Sequence, residues 1–238
     1  MKNKFRYSIL LFILSALFIS CQDITTADVS HLTYYVDITL KGNAVMTVPV
    51  GGTFTDPGFT ATEKGADVSS KVKVSGTVDA STVGAYTLTY SAVNKDGFPI
   101  SASRLVIVYD QSTASSVDIS GTYNSNILRT TTSNGTQLSR GPFTVTLKKI
   151  AEGVFSIDDM LGGWYAIGSA YGSSYAGSGY IALHVDNSIS IISSTLPGWG
   201  DTIEFYQTSY YNPNTGNIYL FSDMVSTPKF QFAVTLTK

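Results

Sequence analysis

Apolar residues in this chain recur at every second position in short runs, and no stretch of useful length carries the three-to-four spacing of an amphipathic helix. In Gly84-Ala85-Tyr86-Thr87-Leu88-Thr89-Tyr90, Tyr86, Leu88 and Tyr90 share one face and the threonines take the other. A strand patterned in this way buries one side and wets the other. Gly, Asn, Asp and Pro punctuate the runs, so the expected fold is all-β, with strands joined by turns. A polar break, Asp110-Gln111-Ser112-Thr113-Ala114-Ser115-Ser116, has the composition of a linker. The expected layout is a leader at 1–20, a tether at 21–31, a first β domain at 32–110, a linker at 111–117 and a second β domain at 118–238. Strands are predicted in the first domain near 32–40, 44–49, 72–75, 84–91 and 101–109. In the second they are predicted near 143–150, 154–157, 164–168, 180–185, 188–192, 202–206, 217–221 and 230–237. Asp186-Asn187 sits at hairpin distance between two of them. Eight or more antiparallel strands make either a barrel or a sandwich, and pairing the first with the last would remove an exposed edge.

The leader is read from its charge and length. Lys2, Lys4 and Arg6 precede an apolar stretch over residues 8–20, too short to span a bilayer and of the right length for a signal peptide. It ends at Leu17-Phe18-Ile19-Ser20-Cys21, and the chain turns polar at once. This segment resembles the lipobox of bacterial lipoproteins, in which the cysteine is acylated and becomes the mature N-terminus. Cys21 is the only cysteine, so no intramolecular disulfide can form, and lipidation accounts for an otherwise isolated thiol. The resemblance implies a membrane partner held through acylated Cys21, since each buried lipid methylene contributes about 0.8 kcal/mol. Loss of the three leader cations takes the net charge from −2 to about −5. So acidic a body argues against nucleic acid as a partner. Asp23 and Asp28 follow the cysteine closely, as acidic residues do in Bacteroidetes lipoproteins exported to the outer face of the outer membrane.

The first domain carries an ordered set of motifs. Val50-Gly51-Gly52-Thr53-Phe54-Thr55-Asp56-Pro57-Gly58-Phe59-Thr60-Ala61 is similar to the Asp-Pro-Gly loop of bacterial Ig-like domains. Gly76-Thr77-Val78-Asp79, the run from Val83 to Tyr90, and Asn94-Lys95-Asp96-Gly97 continue the likeness. It implies an Ig-like β-sandwich, a module used as spacer or adhesin. The two-domain layout, together with Gly121-Thr122-Tyr123-Asn124-Ser125-Asn126-Ile127-Leu128-Arg129-Thr130 and Asp158-Asp159-Met160-Leu161-Gly162-Gly163-Trp164-Tyr165, looks like a family of Bacteroidetes surface lipoproteins with a family-specific all-β C-terminal domain. Such proteins are often encoded beside SusC/SusD-like pairs. The resemblance implies a non-enzymatic accessory to glycan or peptide uptake, or else a free-standing surface glycan-binding or adhesion module.

Chemistry-bearing residues are sparse. The two histidines, His31 and His184, lie in the tether and on a strand, where His184 is out of phase with the apolar residues and expected to face solvent. Neither a metal-ligand cluster nor a phosphate loop is evident, and no cofactor is expected. Asp158-Asp159 is the sharpest acidic pair, but adjacent strand residues point to opposite faces, so turn formation before Gly162-Gly163 is the better reading. An enzyme would have carboxylate candidates such as Asp158, Asp201 and Glu204, with no spacing that favours them. The most suggestive stretch is aromatic and glycine-rich. Trp164, Tyr165, Tyr171 and Tyr175 lie among glycines, and Trp199 follows in Pro197-Gly198-Trp199-Gly200. Flat rings with a polar edge, carried on loops, suit stacking on a sugar or gripping a peptide. These five are the candidate ligand-binding residues, with Tyr210 and Tyr211 as neighbours; burial of Trp164 and Tyr165 in the core is the competing reading.

Overall fold

The computed structural model of the chain describes residues 32–227 and 229–238; Cys21, with the leader and tether, lies outside the described residues. Among the described residues, every regular element longer than a single 3-10 turn is a strand.

The first domain contains β1 (Val36–Leu40), β2 (Val45–Pro49), β3 (Phe59–Glu63), β4 (Ala66–Asp67), β5 (Lys73–Ser75), β6 (Gly84–Val93) and β7 (Pro99–Tyr109). They form two sheets, β1-β3-β4 and β2-β7-β6-β5, antiparallel throughout except that β2 runs parallel to β7. This is the sandwich expected of an Ig-like domain, with β3 and β4 added where the sequence suggested only a loop. The Asp-Pro-Gly motif has a structural explanation. Arg104 is fully buried and pairs with Asp56 at 3.1 Å. It donates to the carbonyls of Lys41, Asn43 and Gly58, while Tyr90 donates its hydroxyl to Asp56. A buried cation needs this degree of satisfaction, and the motif supplies it.

The second domain contains β8 (Gly121–Thr131), β9 (Gln137–Ala151), β10 (Val154–Ile157), β11 (Ser178–Leu183), β12 (Ser188–Thr195), β13 (Ile203–Phe205), β14 (Ser209–Asn212), β15 (Asn217–Met224) and β16 (Phe230–Thr237). Pairing runs β8-β9-β10-β11-β12-β14-β15-β16 and returns from β16 to β8, so eight strands close a barrel. The short β13 lies against the far end of β15. Closure decides for the barrel over the sandwich. Side chains alternate inward along each strand, as at Tyr123, Ser125 and Ile127 on β8 and Phe232, Val234 and Leu236 on β16. An eight-stranded barrel is just wide enough for such side chains to fill it, and these form one continuous core. Asn187, at φ +68°, makes the β11–β12 hairpin turn.

The 111–117 segment has a connector's composition, yet its backbone is tied to the barrel. Ser115 N–H donates to Leu183 O and Val185 N–H to Thr113 O. His184 does not simply face solvent: Nδ1 lies 3.1 Å from Thr113 Oγ1 and Nε2 2.8 Å from Ser190 Oγ. Ile107, Tyr109, Ala114 and Val154 share an apolar cluster where the segment passes.

Residues 164–168, expected as a strand, are instead a series of turns. Gly162 and Gly163 adopt φ +71° and +93°, which breaks an extended path, and Ile167 and Gly168 both donate N–H to Gly163 O. The loop over residues 158–177, between β10 and β11, drives Met160, Leu161 and Trp164 into the barrel core.

Candidate functional site

Asp159 sets the shape of this loop. Its carboxylate is buried and accepts three backbone N–H bonds, from Leu161 at 2.8 Å, Gly163 at 3.0 Å and Gly177 at 3.0 Å. Burial pushes the carboxyl up to about 6, against the downward pull of the three donors. Asp158 points the other way, to accept from Thr146 N–H. The pair therefore does turn chemistry. Asp201 likewise accepts backbone N–H bonds from Thr202 and Ser226. Among the described residues, no group of three or more His, Cys, Asp or Glu side chains could hold a metal ion.

With the loop fixed, four of the five candidate aromatic residues come together. Tyr165 meets Trp199 edge to face at 4.7 Å between ring centroids, and Tyr175 meets Trp199 in the same way at 4.7 Å. Tyr171 lies 5.3 Å from Tyr175 and stacks on Tyr165 at 6.3 Å. Tyr175 and Trp199 each end a single 3-10 turn, Ser173–Tyr175 and Pro197–Trp199. Gly198 lets these turns touch, since a Cβ there would lie 2.6 Å from the Tyr175 ring. Tyr171 is 55% exposed and Trp199 42%, so the cluster is a platform open to solvent.

Trp164 does not belong to it. Only 1% of its surface is exposed, and its ring packs edge-on against Phe232 at 5.9 Å. Its assignment as a ligand-binding residue is corrected here: one residue's step along the turn sends Trp164 inward and Tyr165 toward the platform. Tyr165 is partly buried, touching Phe232 on one side and Trp199 on the other. Tyr210 is also elsewhere, stacked on Tyr219 and Phe221.

Two residues missing from the sequence reading complete the site. The Arg129 guanidinium lies between the rings of Trp164 at 4.8 Å and Phe230 at 4.1 Å. Arg140 lies 4.4 Å from the Trp164 ring centroid and donates from Nη1 to Trp164 O and Ser169 Oγ. Both act on Tyr165: burial holds its hydroxyl above the ordinary tyrosine range, and the two guanidinium groups offset only part of that rise. One signal for them was present. Beyond the leader the chain has three arginines, Arg104, Arg129 and Arg140, and all three pack on aromatic rings.

Family models match both domains: a bacterial surface protein Ig-like domain over residues 38–108, and a family-specific C-terminal domain over residues 112–238. Among solved structures, the lipoprotein BT2262 from Bacteroides thetaiotaomicron is 30% identical, with 86% of this chain and 100% of that one covered and a TM-score of 0.47. The chain belongs to that family. It is a surface lipoprotein of the Bacteroides type, with an Ig-like domain ahead of a BT2262-like barrel. Two further structures are more distant. The M60 catalytic domain with two CBM51 domains of Clostridium perfringens ZmpB is 18% identical over 53% of this chain and 14% of that one, at a TM-score of 0.30. A multidomain protein including DUF1735 from Bacteroides ovatus is 10% identical over 85% and 92%, at 0.31. Neither likeness bears on function. No curated protein matches the chain.

Proposed function

We propose that this BT2262-family lipoprotein is a non-enzymatic glycan-binding protein of the outer-membrane surface, anchored through Cys21, that serves a SusC/SusD-like nutrient uptake system. The observation that carries the binding role is the Tyr165-Tyr171-Tyr175-Trp199 platform: four rings packed together and open to solvent, three of them on a loop fixed by a buried carboxylate and the fourth on the turn it touches. Sugar rings present C–H faces that stack on such surfaces, and a pre-organised platform loses little entropy on binding. Within the barrel that carries the platform, closure leaves β8 and β16 without a free edge for an added peptide strand, so ring stacking on the platform is the mode this surface offers. The filled barrel interior also directs binding to the outside.

Affinity electrophoresis of the intact protein through gels containing individual plant and host polysaccharides tests the binding role. Trp199→Ala should weaken binding at least about tenfold, the usual effect of losing a central aromatic anchor, while thermal stability changes little at so exposed a position. Gly198→Ala should also weaken binding, since its Cβ displaces the Tyr175 ring without removing any aromatic group. Retardation by no polysaccharide would remove the binding role. Recovery of a SusC/SusD-like pair with the protein in mild detergent tests the uptake role separately, and its repeated absence would favour a free-standing binding module.

A further inference from the structure

The arginines beside the platform go further than a generic sugar surface. Arg129 and Arg140 flank Trp164, and the Tyr165 hydroxyl feels both of them. Neither guanidinium forms an ion pair among the described residues. By contrast Arg104, the third arginine, is matched by Asp56 and three carbonyls. Arg129 Nε–H is buried with no acceptor. Arg140 spends Nη1 on Trp164 O and Ser169 Oγ, and its side chain is otherwise exposed. The body of the protein is acidic, at about −5 without its leader, so an unpaired cationic pair next to an aromatic platform stands against the overall charge. Aromatic faces hold the guanidinium planes in place without neutralising them. Arg140 also borders a shallow groove of about 420 Å³ with Asn126 and Ser139, which extends the surface along β8 and β9.

We infer that the platform takes an anionic saccharide, with a carboxylate or sulfate group of the sugar received by the exposed Arg140 while the ring stacks on Trp199 and Tyr171. This rests on the glycan-binding reading above. A planar guanidinium matches either anion in two-point geometry, and charge-assisted bonds of this kind are the strong ones. Sparse cations in an otherwise acidic protein also limit non-specific attraction to polyanions, so binding requires the rings as well.

The test titrates the intact protein with polygalacturonate, chondroitin sulfate, a neutral galactan and polyglutamate, by calorimetry at two salt concentrations. One or both anionic polysaccharides should bind at least about tenfold more tightly than the galactan, and which of them does so identifies carboxylate or sulfate as the recognised group. Arg140→Gln should erase that preference, bringing the anionic polysaccharides to the affinity of the galactan measured on the same variant, with circular dichroism checking that the fold is retained. Arg140→Lys should restore it in part, because the charge returns without the fork. Trp199→Ala should abolish binding to both classes, which places the anion site at the platform. Equal affinity for galactan and the anionic polysaccharides, with no effect of Arg140→Gln, overturns the inference and leaves glycan binding intact. Binding to none of the polysaccharides overturns both. Polyglutamate bound as tightly as the anionic polysaccharides overturns the saccharide specificity, since the site would then read charge alone.

Discussion

Trp164→Ala should cost about 3–5 kcal/mol of stability, the size expected for removing a large aromatic side chain from a packed core. The ring is 1% exposed, sits edge-on against Phe232, and is packed by Arg129 and Arg140. Its removal leaves a cavity that neighbouring side chains cannot readily fill. Gly162 already lies against Ser125, Ile127 and Val234, so the backbone has little freedom to move inward. The two guanidinium groups also lose the ring face that holds them. Urea unfolding followed by circular dichroism measures the effect, and the barrel's transition should shift to clearly lower denaturant. Tyr165→Ala, at the half-buried neighbouring position, should cost markedly less. A Trp164→Ala loss below about 1 kcal/mol would contradict the buried placement, because only a solvated ring is removed so cheaply.

The contrast between Trp164 and Tyr165 shows where the sequence stops being legible. Alternation along Trp164-Tyr165-Ala166-Ile167 is compatible with a strand, and periodicity alone offers no reason to prefer a turn. Gly162 and Gly163 do signal one, but their positive φ follows from close packing against β8, β16 and Phe143, all distant in sequence. The aromatic–glycine composition was enough to select Tyr165, Tyr171, Tyr175 and Trp199, since loops carrying such residues are visible locally. Which ring faces inward was not. Arg129 escaped for a related reason. Its ring partner Phe230 is brought beside it by the β8–β16 register, a pairing between strands at opposite ends of the domain, and alternation gives a strand's buried face without naming its neighbour. Barrel closure depends on that same pairing, so the barrel-or-sandwich choice was open until the register was seen. The Asp-Pro-Gly loop and the Ig-like strands other than β3 and β4 were legible because they recur as an ordered motif. The two segments of the second domain quoted for family resemblance also turn out to touch: Gly162 abuts Ser125 and Ile127, and Trp164 supports Arg129.

Asp159→Ala should be the most damaging single change to the platform that leaves every ring in place. It strips the acceptor from the N–H groups of Leu161, Gly163 and Gly177, all buried. Each unsatisfied buried donor costs about 1–3 kcal/mol, which outweighs the relief of removing one buried charge and gives a net loss of roughly 2–4 kcal/mol. Asp159→Asn separates the two contributions. Its oxygen can keep the bonds from Leu161 and Gly177, but its amide nitrogen then opposes Gly163 N–H, so a smaller loss of about 1–2 kcal/mol is expected. The pH dependence has a definite sign. The folded-state carboxyl titrates at about 6 against an ordinary 3.8, so the folded protein binds the proton more tightly than the unfolded chain. The cost of burying the charge is therefore fully present above about pH 6 and disappears as the pH falls toward 3.8. Wild type should gain stability relative to Asp159→Asn across that window, by on the order of 3 kcal/mol at its lower end. The comparison with Asn cancels contributions from the exposed Asp67, Asp79, Asp110, Asp118 and Asp186, whose hydrogen bonds to nearby Ser residues hold them below the ordinary value. Paired thermal melts at pH 7, 6, 5 and 4 give the measurement. A wild-type advantage that stays flat or shrinks on acidification would show that the three N–H donors, rather than burial, set this carboxyl. Binding to the platform's ligand should fall with loop order in Asp159→Ala even below its melting temperature, because Tyr165, Tyr171 and Tyr175 all lie on the segment that Asp159 holds in place.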